Sequence, residues 1–237
     1  MLLYFIRHGD PIYNPDGLTS LGQSQAEALA NRLLKSNIDI IYSSTSNRAI
    51  LTASPLCKLL NKEPILLDWC NEKYSYEEFT GFNTQNKRYF MMDCDNYRKL
   101  FVSKRIRDLG FEWYEDIEFS QTKCQNGIKR ILNETENFLE ELGYKHNREE
   151  GNYSVIKKND KKVALFAHAG FGSVFLSCLL DIPYPMFATH FNMSHSNITV
   201  IEFDGTDVVI PRVLSYSNDS HLYKEDLPTK WCNIIEI

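Results

Sequence analysis

The 237 residues include 43% hydrophobic and 24% charged side chains, enough to bury a substantial core, which excludes a disordered chain. A net charge of −5 argues against an exposed nucleic-acid or anionic-membrane surface as the main partner, but a local cluster of Arg and His can still take a small anionic substrate. Six scattered cysteines form no C-x-x-C pair, which fits neither a zinc framework nor a small disulfide scaffold, and no apolar stretch approaches the roughly 20 residues needed to cross a bilayer.

Leu2 to Ile6 is a short apolar run with aromatic and β-branched members, and it predicts a buried strand, central in a sheet covered on both faces. It ends in Arg7-His8-Gly9. Asp10 to Gly17 reads as a loop by its Pro, Gly and Asx content. Thr19 then stands as the N-cap of a helix with Ala26, Leu29, Ala30 and Leu33 on one face. Ile38 to Tyr42 predicts a second strand, and Ser44 to Arg48 turns into a second helix whose start offers unpaired N–H groups near Arg48. Pro55 inside that helix should kink or interrupt it. Pro64 to Asp68 is a third, shorter strand leading to Glu72. From Tyr74 to about Phe119 the pattern is irregular and rich in aromatics, and reads as an insertion over the site within a single domain of residues 1–237. Residues 121–142 predict one long helix, and Arg148 to Asp160 a polar excursion. Lys162 to Ala167 is the fourth strand, with His168 at its end and a helix over Phe171 to Leu180. Ser196 to Phe203 and Val208 to Tyr216 are expected as a strand pair joined at Asp204-Gly205, before a polar tail.

In open α/β sheets, ligand chemistry gathers beyond the carboxyl ends of the strands. Arg7 offers a planar fork of donors suited to phosphate, His8 a nucleophile or proton carrier, and Gly9 close backbone approach. Elsewhere the chain supplies a second arginine at a strand end (Arg48), a carboxylate (Glu72) and a second His-x-Gly (His168). Phosphoryl transfer needs little more: a nucleophile, charge neutralisation and a proton source. His8 can attack phosphorus, Arg7, Arg48 and His168 can surround the equatorial oxygens in place of a metal, and Glu72 can protonate the departing alcohol. Asp68, Glu77 and Glu78 lie close enough to compete with Glu72 for that role. Metal binding is the chemical rival. His190 and His195 make a poor helical pair with no carboxylate or thiol cluster, which leaves both a structural or loop role, with His195 able to line the pocket. His146 and His221 read as surface residues. The cations of the insertion, including Lys87, Arg88, Arg98 and Arg105, suit a moderately large anionic substrate or, more simply, a solvated face.

These residues, in this order and at three strand ends, resemble the histidine phosphatase superfamily, the phosphoglycerate-mutase-like fold. Leu18-Thr-x-x-Gly22-x-x-Gln25-Ala26 adds to the resemblance, as does Asn71-Glu72-Lys73-Tyr74 with Gly81 further on, although Ser75 or Tyr76 stands where the mutase branch has glycine. The resemblance implies a three-layer α/β/α sandwich with a mostly parallel central sheet, helices on both faces and an inserted lid. It also implies that His8 is the nucleophile, Arg7, Arg48 and His168 bind phosphate, Glu72 is the proton donor and Asn14 touches the phosphate. Only Asp10 to Gly17 separate Gly9 from Leu18, shorter than in the family's mutases, which favours hydrolysis. The expectation is a metal-independent, cofactor-free, histidine acid-type phosphatase. It would form a phosphohistidine on a small phosphorylated metabolite, in the cytoplasm, with no nucleic-acid or membrane partner and an oligomeric state left open, a homodimer among the options. A phosphoglycerate-type mutase and a non-catalytic domain binding phosphorylated ligands are the alternatives.

Overall fold

The computed structural model describes residues 1–231. The chain opens with β1 (Leu2–Arg7), a small hairpin of β2 (Pro11–Tyr13) and β3 (Asp16–Leu18), and α1 (Ser20–Leu34). β4 (Ile40–Ser44), α2 (Asn47–Leu60) and β5 (Ile65–Leu67) follow, then α3 (Glu72–Phe79), a hairpin of β6 (Thr80–Phe82) and β7 (Arg88–Phe90), α4 (Asp95–Phe101) and α5 (Lys104–Leu109). After the long α6 (Cys124–Glu141) come β8 (Tyr144–Asn147), β9 (Asn152–Val155), β10 (Lys162–Ala167), α7 (Ala169–Leu179) and α8 (Tyr184–His190). β11 (Ile198–Glu202), β12 (Val208–Val209), β13 (Arg212–Asn218) and α9 (Ser220–Lys224) close the described part.

The main sheet runs β13-β11-β1-β10-β4-β5. β1, β10, β4 and β5 are parallel, and β11 is antiparallel to both β1 and β13. Alternation along the central strands assigns the two faces. Leu3, Phe5, Val163, Leu165 and Ala167 pack in a core with α6 and α7 residues such as Ile131, Leu139, Phe171 and Phe175. Tyr4, Ile6, Ala164 and Phe166 pack on the other face with Leu29 and Leu33 of α1 and Leu56 of α2. Because both faces are covered, β1 and β10 read in sequence as continuous apolar runs rather than alternating ones. This is the three-layer α/β/α arrangement with a mainly parallel sheet. No helix among the described residues is long and apolar enough to cross a membrane.

Several sequence-based expectations need correcting. α2 runs through Pro55 without interruption, because the carbonyl deprived of its helical partner is that of exposed Leu51, where water can bond it. Val208 to Tyr216 is not one strand: Val208–Val209 pairs with β9, whereas Arg212–Asn218 pairs with β11. Pro211 stands between them and has no N–H to carry a ladder across. The polar excursion contains a strand of its own, β9, which pairs back on β8 just before it. The aromatic segment is more regular than its pattern suggests, with Phe79, Phe101, Trp113 and Phe119 buried in the same core as β1 and α7. The aromatics pack on one another, as in Phe101–Phe119 (5.7 Å, stacked) and Trp113–Phe119 (4.8 Å, edge-on).

Candidate active site

β10 lies between β1 and β4, so the three strand ends carrying Arg7-His8, His168 and Ser44 to Arg48 stand side by side. The loop after β1 is held by tight apposition to α1. A Cβ on Gly9 would lie 2.7 Å from the Gly22 carbonyl oxygen, and one on Gly22 would lie 2.2 Å from that of Asp10, so both positions require glycine. Thr19 caps α1 by accepting from the Gly22 amide (3.0 Å) and donates its hydroxyl proton to Asp10 Oδ2 (2.7 Å). Gln25 Oε1 accepts from the Asp10 amide at 2.8 Å. The Leu-Thr-x-x-Gly-x-x-Gln pattern is thus a clamp on the loop that follows His8, beyond its role in helix packing.

His8 is pinned through its backbone: its amide donates to Ala167 (3.0 Å) and its carbonyl accepts from Ser196 (3.1 Å). Its Nδ1 is 2.7 Å from the Gly9 carbonyl oxygen, which can only accept, so Nδ1 carries the proton and Nε2 the lone pair. The ring is 3% exposed and lines a cavity of about 820 Å³. Burial, then the charges of Arg7 and Arg48, hold its pKa well below the ordinary 6.5, so the imidazole is neutral at neutral pH. His168 is fully buried 5.2 Å from the His8 ring, centroid to centroid. Its Nε2 meets the Ser44 hydroxyl at 2.8 Å, its Nδ1 is buried without a hydrogen-bond partner, and burial together with His8 and the two arginines keeps it neutral too.

Arg7 donates from Nη1 to the Met193 carbonyl and from Nη2 to His195 Nε2 at 2.6 Å. Arg48 occupies the first turn of α2, where its Nη1 meets Asp16 Oδ1 at 2.7 Å and its guanidinium lies 5.5 Å over the Tyr13 ring. The other Asp16 oxygen accepts from the Asn47 amide at 2.7 Å. The β2–β3 hairpin is therefore a strap that orients Arg48. Asn14 sits exposed at its turn and does not line the cavity, whereas its neighbours Tyr13 and Asp16 do. The structure brings Arg7, His8, Arg48 and Glu72 together around one cavity, with His168 behind His8, and leaves Asn14 outside it.

Glu72 begins α3 next to its cap Asn71, and its two carboxylate oxygens accept from the Gly170 (3.0 Å) and Phe171 (3.1 Å) amides at the N-terminus of α7. Gly170 permits the approach, since a Cβ there would fall 2.7 Å from Glu72 Oε1. Burial raises the Glu72 pKa, against the opposing pull of those N–H groups and of both arginines. Its three rivals are otherwise engaged. Asp68 takes hydrogen bonds from Tyr74 and Thr45, which lower its pKa. Glu78 is in a bidentate pair with Arg130, and Glu77 is 64% exposed beside Lys123.

His195 is the member that sequence reading undervalued. It is fully buried, 5.8 Å from the His8 ring, accepts from Arg7 at Nε2, and has Asp10 Oδ1 3.3 Å from its Nδ1. Burial, then Arg7 and His8, lower its pKa. The missing signal was the antiparallel direction of β11, which brings the residues preceding that strand to the end of β1 where Arg7 sits. His190 is exposed. Two other expectations are corrected. His221 is buried at 4%, its Nε2 meeting Ser196 Oγ at 3.1 Å. His146 has a side chain only 1% exposed between Glu136 (3.0 Å) and Asp181 (2.9 Å), carboxylates that offset its burial. Among the described residues no group of three or more His, Cys, Asp or Glu is placed to hold a metal ion.

Comparisons with known proteins give the family and the fold. The model of the histidine phosphatase superfamily (branch 1) matches residues 3–138. A putative phosphoserine phosphatase 2 of Hydrogenobacter thermophilus is 26% identical over 153 residues, 61% of this chain and 68% of that protein. Phosphoserine phosphatase 1 of the same organism is 35% identical over 153 residues, 61% of this chain and 65% of that one. The crystal structure of an Entamoeba histolytica phosphoserine phosphatase variant with phosphoserine superimposes with a TM-score of 0.59 at 19% identity, covering 93% of this chain and 98% of the other. At that identity the likeness speaks for the fold.

Proposed function

The chain belongs to the histidine phosphatase superfamily, and on that premise we propose that it hydrolyses phosphomonoesters of small metabolites through a phosphohistidine, with no metal required. The observation that carries the reading is the His8 tautomer. Its Nδ1–H is committed to Gly9, so the Nε2 lone pair is free beside two guanidinium groups.

The phosphoryl group would sit between Arg7 and Arg48, whose fixed charges are aligned before substrate arrives and need no reorganisation as charge develops. His8 Nε2 attacks phosphorus. The N–P bond forms as the bond to the leaving oxygen breaks, and neutral Glu72 gives its proton to that oxygen. His168, packed against His8 with its buried Nδ1 unpartnered, would offer an N–H to an equatorial oxygen in the tautomer that carries its proton on Nδ1. In the second half, the Glu72 carboxylate takes a proton from water, the hydroxyl attacks phosphorus, and the N–P bond breaks to return neutral His8 and inorganic phosphate. The raised pKa of Glu72 suits the acid role, because the group keeps its proton to higher pH than an ordinary carboxyl, while the depressed pKa of His8 keeps the nucleophile neutral. The short β2–β3 strap favours hydrolysis over return of the phosphate to a second hydroxyl, which calls for a more closed pocket.

The test is hydrolysis of phenyl phosphate with a chelator present, together with acid-quench trapping of the phosphoenzyme. The expected result is chelator-resistant turnover that His8→Ala lowers at least about a thousandfold, with loss of the trapped phosphohistidine. Turnover that survives His8→Ala overturns the mechanism.

A further inference from the structure

The phosphate end uses only part of the cavity, and the rest has a composition of its own. At about 820 Å³ the space falls near the upper end of the roughly 300–1,000 Å³ range typical of drug-sized ligands, far more than a three-carbon phosphomonoester fills. Its outer wall is aromatic. Tyr76 and Tyr89 from the insertion are 41% and 44% exposed, and Tyr13 on the facing hairpin is 63% exposed, while Tyr76 packs edge-on against Phe90 at 5.6 Å. Large aromatic rings left bare inside a concavity are unusual for a surface with no partner to bind.

Arg88 stands on that wall in a fixed posture. Its Nε donates to Thr80 Oγ1 at 2.6 Å, Thr80 Oγ1 in turn donates to the Tyr76 carbonyl at 2.6 Å, and the guanidinium lies 5.2 Å over the Tyr76 ring. Two contacts brace the group and leave the Nη donors uncommitted. Most other charges of the cavity have counterparts. Arg48 pairs with Asp16, Lys73 with Asp68 at 3.5 Å and Glu77 with Lys123 at 3.8 Å, while Asp93 faces Arg7 and Arg98. Arg88 has no carboxylate within ion-pair distance among the described residues.

We propose that Arg88, braced by Tyr76 and Thr80, reads a second anionic group on the leaving group of the substrate. The aromatic wall then takes a ring lying between that group and the scissile phosphate. The preferred substrate class is a ring-bearing phosphomonoester with a remote carboxylate or phosphate, rather than a three-carbon phosphorylated acid. This rests on the phosphatase reading for its catalytic half only, because the binding half is a property of the cavity.

Two measurements separate them. The first compares kcat/KM for 4-carboxyphenyl phosphate, phenyl phosphate and phosphoserine in the unmodified protein, Arg88→Gln and Arg88→Lys. The 4-carboxyphenyl ester should be the best of the three, and Arg88→Gln should lower its ratio to phenyl phosphate about tenfold, through KM rather than kcat, with Arg88→Lys between. The second measures calorimetric binding of 4-phosphonobenzoate, 1,4-phenylenediphosphonate and phenylphosphonate, which need no turnover. The two dianchored ligands should bind more tightly than phenylphosphonate, and the tighter of the two identifies carboxylate or phosphate as the second anion. Equal affinity for all three phosphonates, or an Arg88→Gln loss shared equally by phenylphosphonate, overturns the assignment of Arg88. Phosphoserine turned over fastest overturns the ring. If no ester is hydrolysed while the phosphonates still discriminate, the phosphatase reading fails and the Arg88 assignment stands.

Discussion

The two ends of α7 hold buried histidines whose pKa values move in opposite directions. At its N-terminus, His8, His168 and His195 are sealed among Arg7 and Arg48, and both burial and the neighbouring charges drive their pKa values down. Just past its C-terminus, Asp181 and, from α6, Glu136 grip both nitrogens of His146. Burial alone would lower the His146 pKa, but hydrogen bonds and charge from Asp181 and Glu136 outweigh it and raise the value. All four imidazoles are enclosed, and what differs most between the two places is the sign of the charges beside them. A neutral imidazole with a directed lone pair can attack phosphorus. A histidine held between two carboxylates, which favour its charged form, binds elements together, here α6, β8 and the loop after α7.

The largest effect expected at the catalytic end, after loss of the nucleophile itself, comes from Glu72. Glu72→Gln keeps the acceptor for one helix amide but has no proton to give, so kcat on an alkyl phosphate should fall about 10²- to 10⁴-fold. An aryl phosphate with a good leaving group should lose less. The sign of the pH dependence follows from the raised pKa. The acid form donates, so the rate in the unmodified protein falls as pH rises through that pKa, and this limb should vanish in Glu72→Gln. A limb that persists in a pH–rate profile assigns the proton to another group.

Next in size is His195, which supports Arg7 without being offered to the phosphate. His195→Ala removes the acceptor of an arginine hydrogen bond, a loss of roughly 10- to 100-fold in kcat/KM. His195→Gln presents an amide oxygen in its place and should recover part of the rate. Equal losses in the two variants would mean that packing, not the hydrogen bond to Arg7, is what His195 supplies.

Such residues show what a sequence can and cannot disclose. β1 and β10 were legible because strands buried on both faces become continuous apolar runs, and a phosphate site at their ends requires Arg, His and Gly, types with few other reasons to cluster there. Glu72 was legible only through resemblance. Its selection over Asp68, Glu77 and Glu78 depends on which carboxylate reaches the Gly170 and Phe171 amides, some hundred positions away in the chain. His195 and His146 escaped for one reason: a polar residue is buried or exposed according to partners that local pattern does not contain. His146 has a carboxylate 10 residues before it and another 35 after. His195 has Arg7, 188 residues earlier. The β12–β13 break was visible as Pro211, but which strand each half would join was not.

The smallest effect tests the opposite end of α7. Its direction with pH is more informative than its size. His146→Leu leaves Glu136 and Asp181 without the charge between them, although Arg148 still pairs with Glu136. Breaking a fully buried ion pair costs about 3–5 kcal/mol, and with both carboxylates a quarter exposed the loss here should be nearer 2 kcal/mol. A histidine whose folded pKa lies above 6.5 adds stability that is complete at pH below 6.5 and is lost as pH rises through the folded value. The gap in Tm between His146→Leu and the unmodified protein should therefore be widest near pH 5.5 to 6 and close on the alkaline side. The three active-site histidines work the other way. Neutral in the fold and free to protonate once unfolded, they subtract stability as pH falls below 6.5, in both proteins alike. Acid should thus lower the Tm of His146→Leu more steeply than that of the unmodified protein, because only the latter has His146 to set against them. Parallel Tm curves across this range would mean that His146 carries no charge in the fold, and the contrast between the two ends of α7 would be one of position alone.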